Sequence, residues 1–205
     1  MTEARIKEIL AEVSGWMTAE PIETERVLLR PFREGDFEDY REFMSQPELL
    51  RNTGMDGFAD EAAAREAFGK LLSPEHPPTS FALEWKETGK VIGFFSIGIY
   101  PFVRDDASLE QKRGVSLSCA LHADYRRRGI MTELFRRSFA YLLREHGLDF
   151  VNCGYFVFND ASRKLQEGLG MHDYMDHVFE HNGERIDTRE MILFREDYEG
   201  SLSER

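Results

Sequence analysis

An apolar, strand-like run, Val115 to Leu121, passes through His122-Ala-Asp-Tyr125 into Arg126-Arg127-Arg128-Gly129. A segment with Leu134, Phe135, Ser138, Phe139 and Leu142 at helical spacing follows at once. A helix start leaves its first N–H groups unpaired at the positive end of the macrodipole. A glycine there lets the backbone close on an oxyanion with no Cβ in the way. Residues of these types in this order make an anion cradle. Residues 122–137 hold five arginines and two acids, a local +3 in a chain of formal net charge −12, which leaves −15 for the remainder. By charge alone, an arginine run before a helix reads equally well as a solvated face.

A second segment bears on that choice. Asn159-Asp-Ala-Ser162-Arg163-Lys-Leu-Gln166-Glu-Gly-Leu-Gly170-Met171 follows the next strand-like run. With the first segment it resembles the GNAT superfamily of acyl-CoA-dependent N-acyltransferases. Arg126-x-x-Gly129 is similar to the family's pyrophosphate signature, Arg/Gln-x-x-Gly-x-Gly/Ala, and the later stretch to its Asn-x-x-Ser-Arg…Glu-x-Leu-Gly-Phe helix. Upstream, Glu23-Thr-Glu-Arg-Val-Leu-Leu-Arg-Pro-Phe-Arg-Glu-Gly-Asp36 is similar to the opening of the Rim-type (RimJ/RimL-like) branch. The similarity covers about residues 23–198.

The resemblance implies acetyl-CoA as cosubstrate, no metal, and a set of site residues. The backbone across Arg127, Arg128, Gly129, Ile130, Met131 and Thr132, with the side chain of Arg126 and its neighbours, would hold the pyrophosphate. Main-chain groups of Cys119, Ala120 and Leu121 would pair with the pantetheine arm like an added strand, where two parallel strands splay apart. Asn159 would reach the pantetheine, Ser162 would stand near the thioester sulfur, with either Ser162 or water protonating the leaving thiolate, and Arg163 would touch the 3′-phosphate. Three positions depart from the pattern. Met131 replaces Gly or Ala, Gln166 stands where other branches carry a tyrosine acid, and Ser116 stands where several relatives carry a strand glutamate.

Direct attack on a thioester needs a neutral amine, whereas lysine-type amines are protonated at neutral pH, so a base is required. Candidates by segment are Glu84, Asp105, Asp106, His177 and Glu180; His122 reads as structural. Tyr100, Phe102 and Trp85 are available to line an acceptor channel. His177-Val-Phe-Glu180-His181 matches a zinc-peptidase string. It leads into Asn182-Gly183, a hairpin turn, and on a strand residues i and i+4 stand roughly 13 Å apart, too far for one metal ion. Cys119 and Cys153 lack metal-ligand or redox spacing, the usage of a reducing compartment.

Elements that could position these groups follow from periodicity. Residues 4–17 predict an amphipathic helix stopping near Gly15, a packing or dimerisation arm followed by a linker. Then come a strand at 27–30, helices at 35–45 and 60–72, a hairpin of 80–85 and 91–100, a polar stretch at 104–112, and a strand at 115–121. A helix at 132–146, a strand at 150–158, a helix from Ser162 and a final hairpin complete the chain. The fold expected is α/β, a GNAT-like, mostly antiparallel mixed sheet with splayed central parallel strands flanked by helices. Its parts would be an N-terminal helix and linker at 1–22, the acyltransferase domain at 23–198 and a polar tail at 199–205.

At 205 residues the chain can bury a core without metal or disulfide. Its acidity disfavours nucleic acid and anionic membranes as partners. The most apolar run, Val91–Val103, has 13 residues and two glycines, short of the ~20 that span a bilayer. Composition and cysteine usage predict a cytoplasmic protein, and the resemblance implies an N-acetyltransferase, monomer or homodimer, whose acceptor is a primary amine, either a peptide N-terminus or a small cation. The alternative is a catalytically silent acyl-CoA-binding regulatory or interaction module.

Overall fold

The computed structural model describes residues 1–75 and 77–203. Seven strands are present: β1 (Val27–Pro31), β2 (Ser80–Trp85), β3 (Lys90–Gly98), β4 (Gly114–Leu121), β5 (Phe150–Phe156), β6 (His172–His181) and β7 (Glu184–Phe194). The helices are α1 (Glu3–Ala19), α2 (Phe37–Met44), α3 (Pro47–Thr53), α4 (Glu61–Leu71), α5 (Pro101–Arg104), α6 (Ile130–Phe139), α7 (Asp160–Gly168) and α8 (Arg195–Ser203). The strand order is β1-β2-β3-β4-β5-β7-β6. The sheet is mostly antiparallel, with one parallel pair, β4 with β5. That pairing covers only Gly114–Ser116 against Phe150–Asn152, although both strands continue.

The chain divides into two compact units, one of Met1–Leu10, Gly98–Ser118 and Met131–Arg205, the other of Ala11–Ile97 and Cys119–Ile130. In the second unit, Phe32, Phe37, Tyr40, Phe43, Met44, Leu49 and Phe68 build an aromatic core with Ala82, Val91 and Ala120. Beside it runs a buried ion network. Arg30 on β1 grips Asp36 with two bonds of 2.7 and 2.9 Å and Glu84 on β2 with one of 2.5 Å. Asp36 also accepts from the Arg33 N–H at 2.8 Å, closing the single 3-10 turn that leads into α2. In the first unit, Val103, Leu109, Phe150 and Ile192 pack with Ile99, Phe102, Tyr174 and Phe194.

Local chemistry sets the helix ends. Asp60 caps α4 by accepting from Ala63 N at 2.8 Å. Pro47 opens α3, and Gly54, at φ +67°, ends it. Several boundaries differ from the periodicity reading. Helix α1 does not stop near Gly15 but continues to Ala19, because Val13, Ser14 and Met17 form one buried face while Gly15 points to solvent. That face is buried within the chain itself, so α1 packs rather than projects. Residues 47–53, read as loop, are helical, and 104–112 includes the end of α5 and a further helical turn at Ala107–Leu109. Helix α6 begins two residues earlier than expected and runs on into a π-helical turn, Ala140–Glu145. Helix α7 likewise starts two residues before Ser162. Residues 199–203 of the expected tail form the end of α8, and 204–205 lie outside the described residues. Among the described residues, no helix is long and apolar enough to cross a membrane.

Candidate active site

The arginine-glycine turn takes a particular backbone form. Arg127 has φ +60° and Gly129 φ +74°, so two left-handed residues flank Arg128 just before α6 begins. For a residue with a Cβ this conformation costs roughly 1–2 kcal/mol, and alternating backbone of this kind turns successive N–H groups toward one concave side. No described residue accepts from the N–H of Arg127, Arg128 or Gly129. The first N–H groups of α6, including those of Ile130, Met131 and Thr132, add the unpaired donors of a helix start. The loop is anchored from behind, with Arg26 donating to the Arg128 carbonyl at 2.7 Å.

The arginine side chains divide their work. Arg126 is turned inward: its Nε donates to the Leu121 carbonyl at 2.9 Å and its Nη1 lies 2.8 Å from Glu48. It is a strut that ties the end of β4 to the loop. The Arg128 guanidinium lies over the Tyr125 ring at 5.3 Å. Of the three residues expected to meet a pantetheine, Ala120 lays its carbonyl against Gly93 of β3, and the Leu121 carbonyl is taken by Arg126. Burial pushes the Cys119 thiol up to about 12, which favours the protonated thiol. His122 is buried, accepts from Asp124 N at 3.2 Å and lies 3.3 Å from Glu42, a structural placement as expected.

The other unit carries a buried polar cluster centred on Glu190 of β7. Its side chain is only 5% exposed, and His177 Nε2 of β6 lies 2.9 Å from Oε1 while Asn152 Nδ2 of β5 donates to Oε2 at 3.2 Å. Burial raises the Glu190 carboxyl above the ordinary carboxylate value, with His177 and Asn152 pulling the other way. Gly154 of β5 makes the space: a Cβ there would lie 2.3 Å from Glu190 Oε1. Phe102 of α5 lies against the His177 ring at 5.1 Å, with Tyr100 beside it at 5.6 Å. The Tyr100 N–H donates to Ser116 Oγ at 3.5 Å. Tyr100, Phe102 and His177 therefore come together, whereas Trp85 belongs to the other unit, packed on Tyr125.

The same glycine joins this cluster to the start of α7. Buried Gln166 donates to the Gly154 carbonyl at 3.3 Å and to Ser162 Oγ at 3.0 Å. Ser162 thus accepts from Gln166 and keeps its own hydroxyl proton to donate elsewhere. Asn159 caps α7 through Oδ1, which accepts from Ser162 N at 3.1 Å. Arg163 is held by Asp160 and Glu167 on the exposed side of α7. Asn152 Oδ1 and Gln166 Oε1 are buried and accept from no described residue.

The remaining candidate bases are engaged elsewhere. Glu84 is bound to Arg30, Asp105 to Arg104, and Glu180 is exposed beside Arg185. Asp106 accepts from Tyr174 Oη at 2.5 Å and from Ser108, and these bonds hold its carboxyl below the usual range. Of the five, His177 is the one that meets a buried carboxylate, that of Glu190. The zinc-peptidase string lies on β6, and Asn182 and Gly183, at φ +49° and +79°, form the turn that follows it. Glu190 escaped detection by sequence because it ends a largely charged run, Glu184, Arg185, Asp187, Thr188 and Arg189, and so looks like one more solvent-facing charge. The available signal was Gly154, since a glycine inside a strand marks a place where another group approaches closely.

An acyltransferase domain is the class that this sheet and this cradle define. The acetyltransferase (GNAT) domain model matches residues 26–172, and the chain belongs to that family. Among solved structures, it is similar to a GNAT-family acetyltransferase from Bacillus anthracis, with 18% identity, TM-score 0.71, and coverage of 86% of this chain and 99% of that one. It is also similar to spermidine N-acetyltransferase from Vibrio cholerae in complex with CoA and spermine, with 16% identity, TM-score 0.66, and coverage of 85% and 99%. A third is RimL, a ribosomal-protein alpha-N-acetyltransferase in complex with coenzyme A, with 14% identity, TM-score 0.64, and coverage of 85% and 98%.

Proposed function

We propose that the protein is a Rim-type N-acetyltransferase that moves the acetyl group of acetyl-CoA to a primary amine, either a peptide N-terminus or a small cation. The observation that carries this reading is the row of unaccepted N–H groups at Arg127–Gly129, bent by two left-handed residues and running into a helix start. Such a row fits a pyrophosphate, and two of the structural neighbours named above are a spermidine N-acetyltransferase in complex with CoA and spermine and a ribosomal-protein acetyltransferase in complex with coenzyme A. In this reading Arg127–Thr132 hold the pyrophosphate through the backbone, with Arg127 and Arg128 adding charge. Main-chain groups at Cys119–Leu121 meet the pantetheine, as do the amide of Asn159 and the N-terminal turn of α7. Ser162 donates its hydroxyl proton to the departing thiolate, a role that its bond from Gln166 leaves open. Arg163 reaches the 3′-phosphate only by leaving Asp160 and Glu167. The acidic remainder of the chain favours a cationic acceptor, and a cysteine content of only two, without redox or metal-ligand spacing, fits a cytoplasmic location.

Thiol release from acetyl-CoA across a panel of amines and peptides, beside calorimetry of acetyl-CoA, tests this. The wild type is expected to bind and to release thiol with at least one amine. Gly129→Asp, which places a carboxylate and a Cβ at φ +74°, is expected to abolish donor binding, and Ser162→Ala to slow turnover with binding retained. Binding without thiol release on any acceptor would make the protein an acyl-CoA-binding module, and full binding by Gly129→Asp would remove the cradle.

A further inference from the structure

We propose that His177 and Glu190 are the proton-accepting pair of this site, His177 Nδ1 taking the proton from the acceptor's ammonium group and Glu190 fixing the ring for it; this rests on the acetyl-transfer reading above. Four observations carry it.

Glu190 differs from the chain's structural buried acid. Asp36 is neutralised by a two-bonded guanidinium, whereas no arginine or lysine among the described residues pairs with Glu190, whose titratable partner is a histidine. A carboxylate behind an imidazole selects the tautomer and steadies the imidazolium that forms. The second observation is Gly154, where β5 carries no side chain and the Glu190 carboxylate occupies the space a Cβ would take. Third, the His177 ring is half-buried, with Nε2 toward Glu190, and Nδ1 donates to or accepts from no described residue. Phe102 and half-exposed Tyr100 line its flank, an apolar wall suited to the alkyl part of an amine. Fourth, Gly154 contacts the carboxylate of Glu190 and, through its carbonyl, the Gln166 amide that holds Ser162. One residue of β5 thus connects the proton acceptor with the hydroxyl that serves the thiolate.

The groups facing the pair are few. From β6 come Tyr174, whose hydroxyl donates to Asp106, and Asp176, which is ion-paired with Arg189 at 2.8 Å; β5 contributes the neutral Asn152, and α5 the ring of Phe102. Burial holds the Glu190 carboxyl up, consistent with a group poised to share a proton with its neighbour. In the reaction, the acceptor R–NH3+ gives one proton to His177 Nδ1 and becomes a neutral amine. Its lone pair forms the C–N bond, and the C–S bond breaks with its electrons on sulfur. Ser162 gives its hydroxyl proton to the thiolate, the nitrogen's second proton replaces it on Ser162, and the imidazolium returns its proton to solvent.

The test uses the full chain, with Glu190→Gln and His177→Gln, in steady-state acetyl transfer over a range of pH and in nitrogen NMR of the His177 ring. The wild-type ring is expected to carry its proton on Nε2, and Glu190→Gln to move it toward Nδ1. Each variant is expected to lose about 100-fold or more in kcat, with acetyl-CoA affinity unchanged. The loss should shrink as pH rises and the amine deprotonates unaided, an alkaline rescue that a merely structural role would not produce. A ring tautomer indifferent to Glu190→Gln overturns the proposal. Variants as fast as wild type with the same pH profile overturn the pair while leaving the acetyl-transfer reading intact; a wild type that acetylates no amine sinks both. Should Glu190→Gln fail to fold, His177→Gln, at a half-buried side chain, supplies the rate and pH readouts.

Discussion

Replacing Gly93 by alanine isolates the backbone approach that sets the end of β4. An ideal Cβ at Gly93 would lie 2.1 Å from the Ala120 carbonyl oxygen and 3.1 Å from Leu121 Cα, and both neighbours are main chain. No rotamer change can relieve this. About 1 Å of separation has to be created in an interior packed at crystal density, next to a hydrogen bond of 2.7 Å from His122 N to Ile92 O. Two effects oppose each other. Alanine restricts the unfolded chain, worth ~0.4–1 kcal/mol in favour of folding, while overpacking costs typically ~1–3 kcal/mol, occasionally more. With the clash carried by backbone, the second term wins, and a net loss of about 1–2 kcal/mol is expected, or ~2–8 °C in Tm for a chain of this size. Urea unfolding with an unchanged m-value measures the loss, and calorimetry of acetyl-CoA should show weakened binding, because Cys119–Leu121 move. Gly15→Ala is the control: Gly15 sits in α1 with nothing within 4 Å of its would-be Cβ, so a gain of ~0.5–1 kcal/mol is expected there. Gly93→Ala as stable as wild type would refute the reasoning, since it would mean that β3 and β4 separate without cost.

Asp36→Ala strips buried Arg30 of its two-bonded partner and leaves it Glu84 alone, so chemical denaturation should show a loss of about 3–5 kcal/mol. Met17→Ala empties a fully buried position on α1 and should cost ~2–5 kcal/mol, a result near zero being incompatible with a packed α1. Burial raises the Glu190 carboxyl on folding, so the folded state binds more protons than the unfolded one between the two values. Its contribution to stability is therefore full below the unfolded value and lost as pH rises through the folded one. Glu190→Gln should remove that decline, and paired pH series of unfolding free energy should show the two proteins diverging as pH increases.

Much of this architecture is legible in the sequence where local chemistry decides it. The seven strands come in the expected order, and the Asn182-Gly183 turn and the left-handed Gly129 follow from residue type alone. Arg126-x-x-Gly129 pointed to the cradle, because a helix start and a glycine are local features. What periodicity could not show depends on partners distant in sequence. Gly15 reads as a stop signal until Val13 and Met17 are seen buried on either side of it. Residues 47–53 are too short for a helical period to register, and their helix rests on Pro47 and Gly54. Glu190 is one charge at the end of a charged run, Glu184–Glu190, until β5 and β6 place Asn152, Gly154 and His177 around it. Arg126 looked like a phosphate ligand by sequence, and the carbonyl of Leu121 and the carboxylate of Glu48 give it a second occupation.

The turn at Asn182-Gly183 also fixes more than the direction of the chain. His177 pairs across the hairpin with Thr188, and Glu190 with Met175, so His177 and Glu190 are diagonal neighbours on one face of a ribbon closed by two residues. A two-residue hairpin can close in ~1–10 μs, before distant parts of the chain are in place. The meeting of imidazole and carboxylate is therefore written into loop length. Adding one residue at the turn while β7 keeps its pairing with β5 would slide β6 by one position and send His177 to the opposite face. Drift in hairpin length would erase the pair without touching either residue, so the constraint on this chain includes a parity as well as an alphabet.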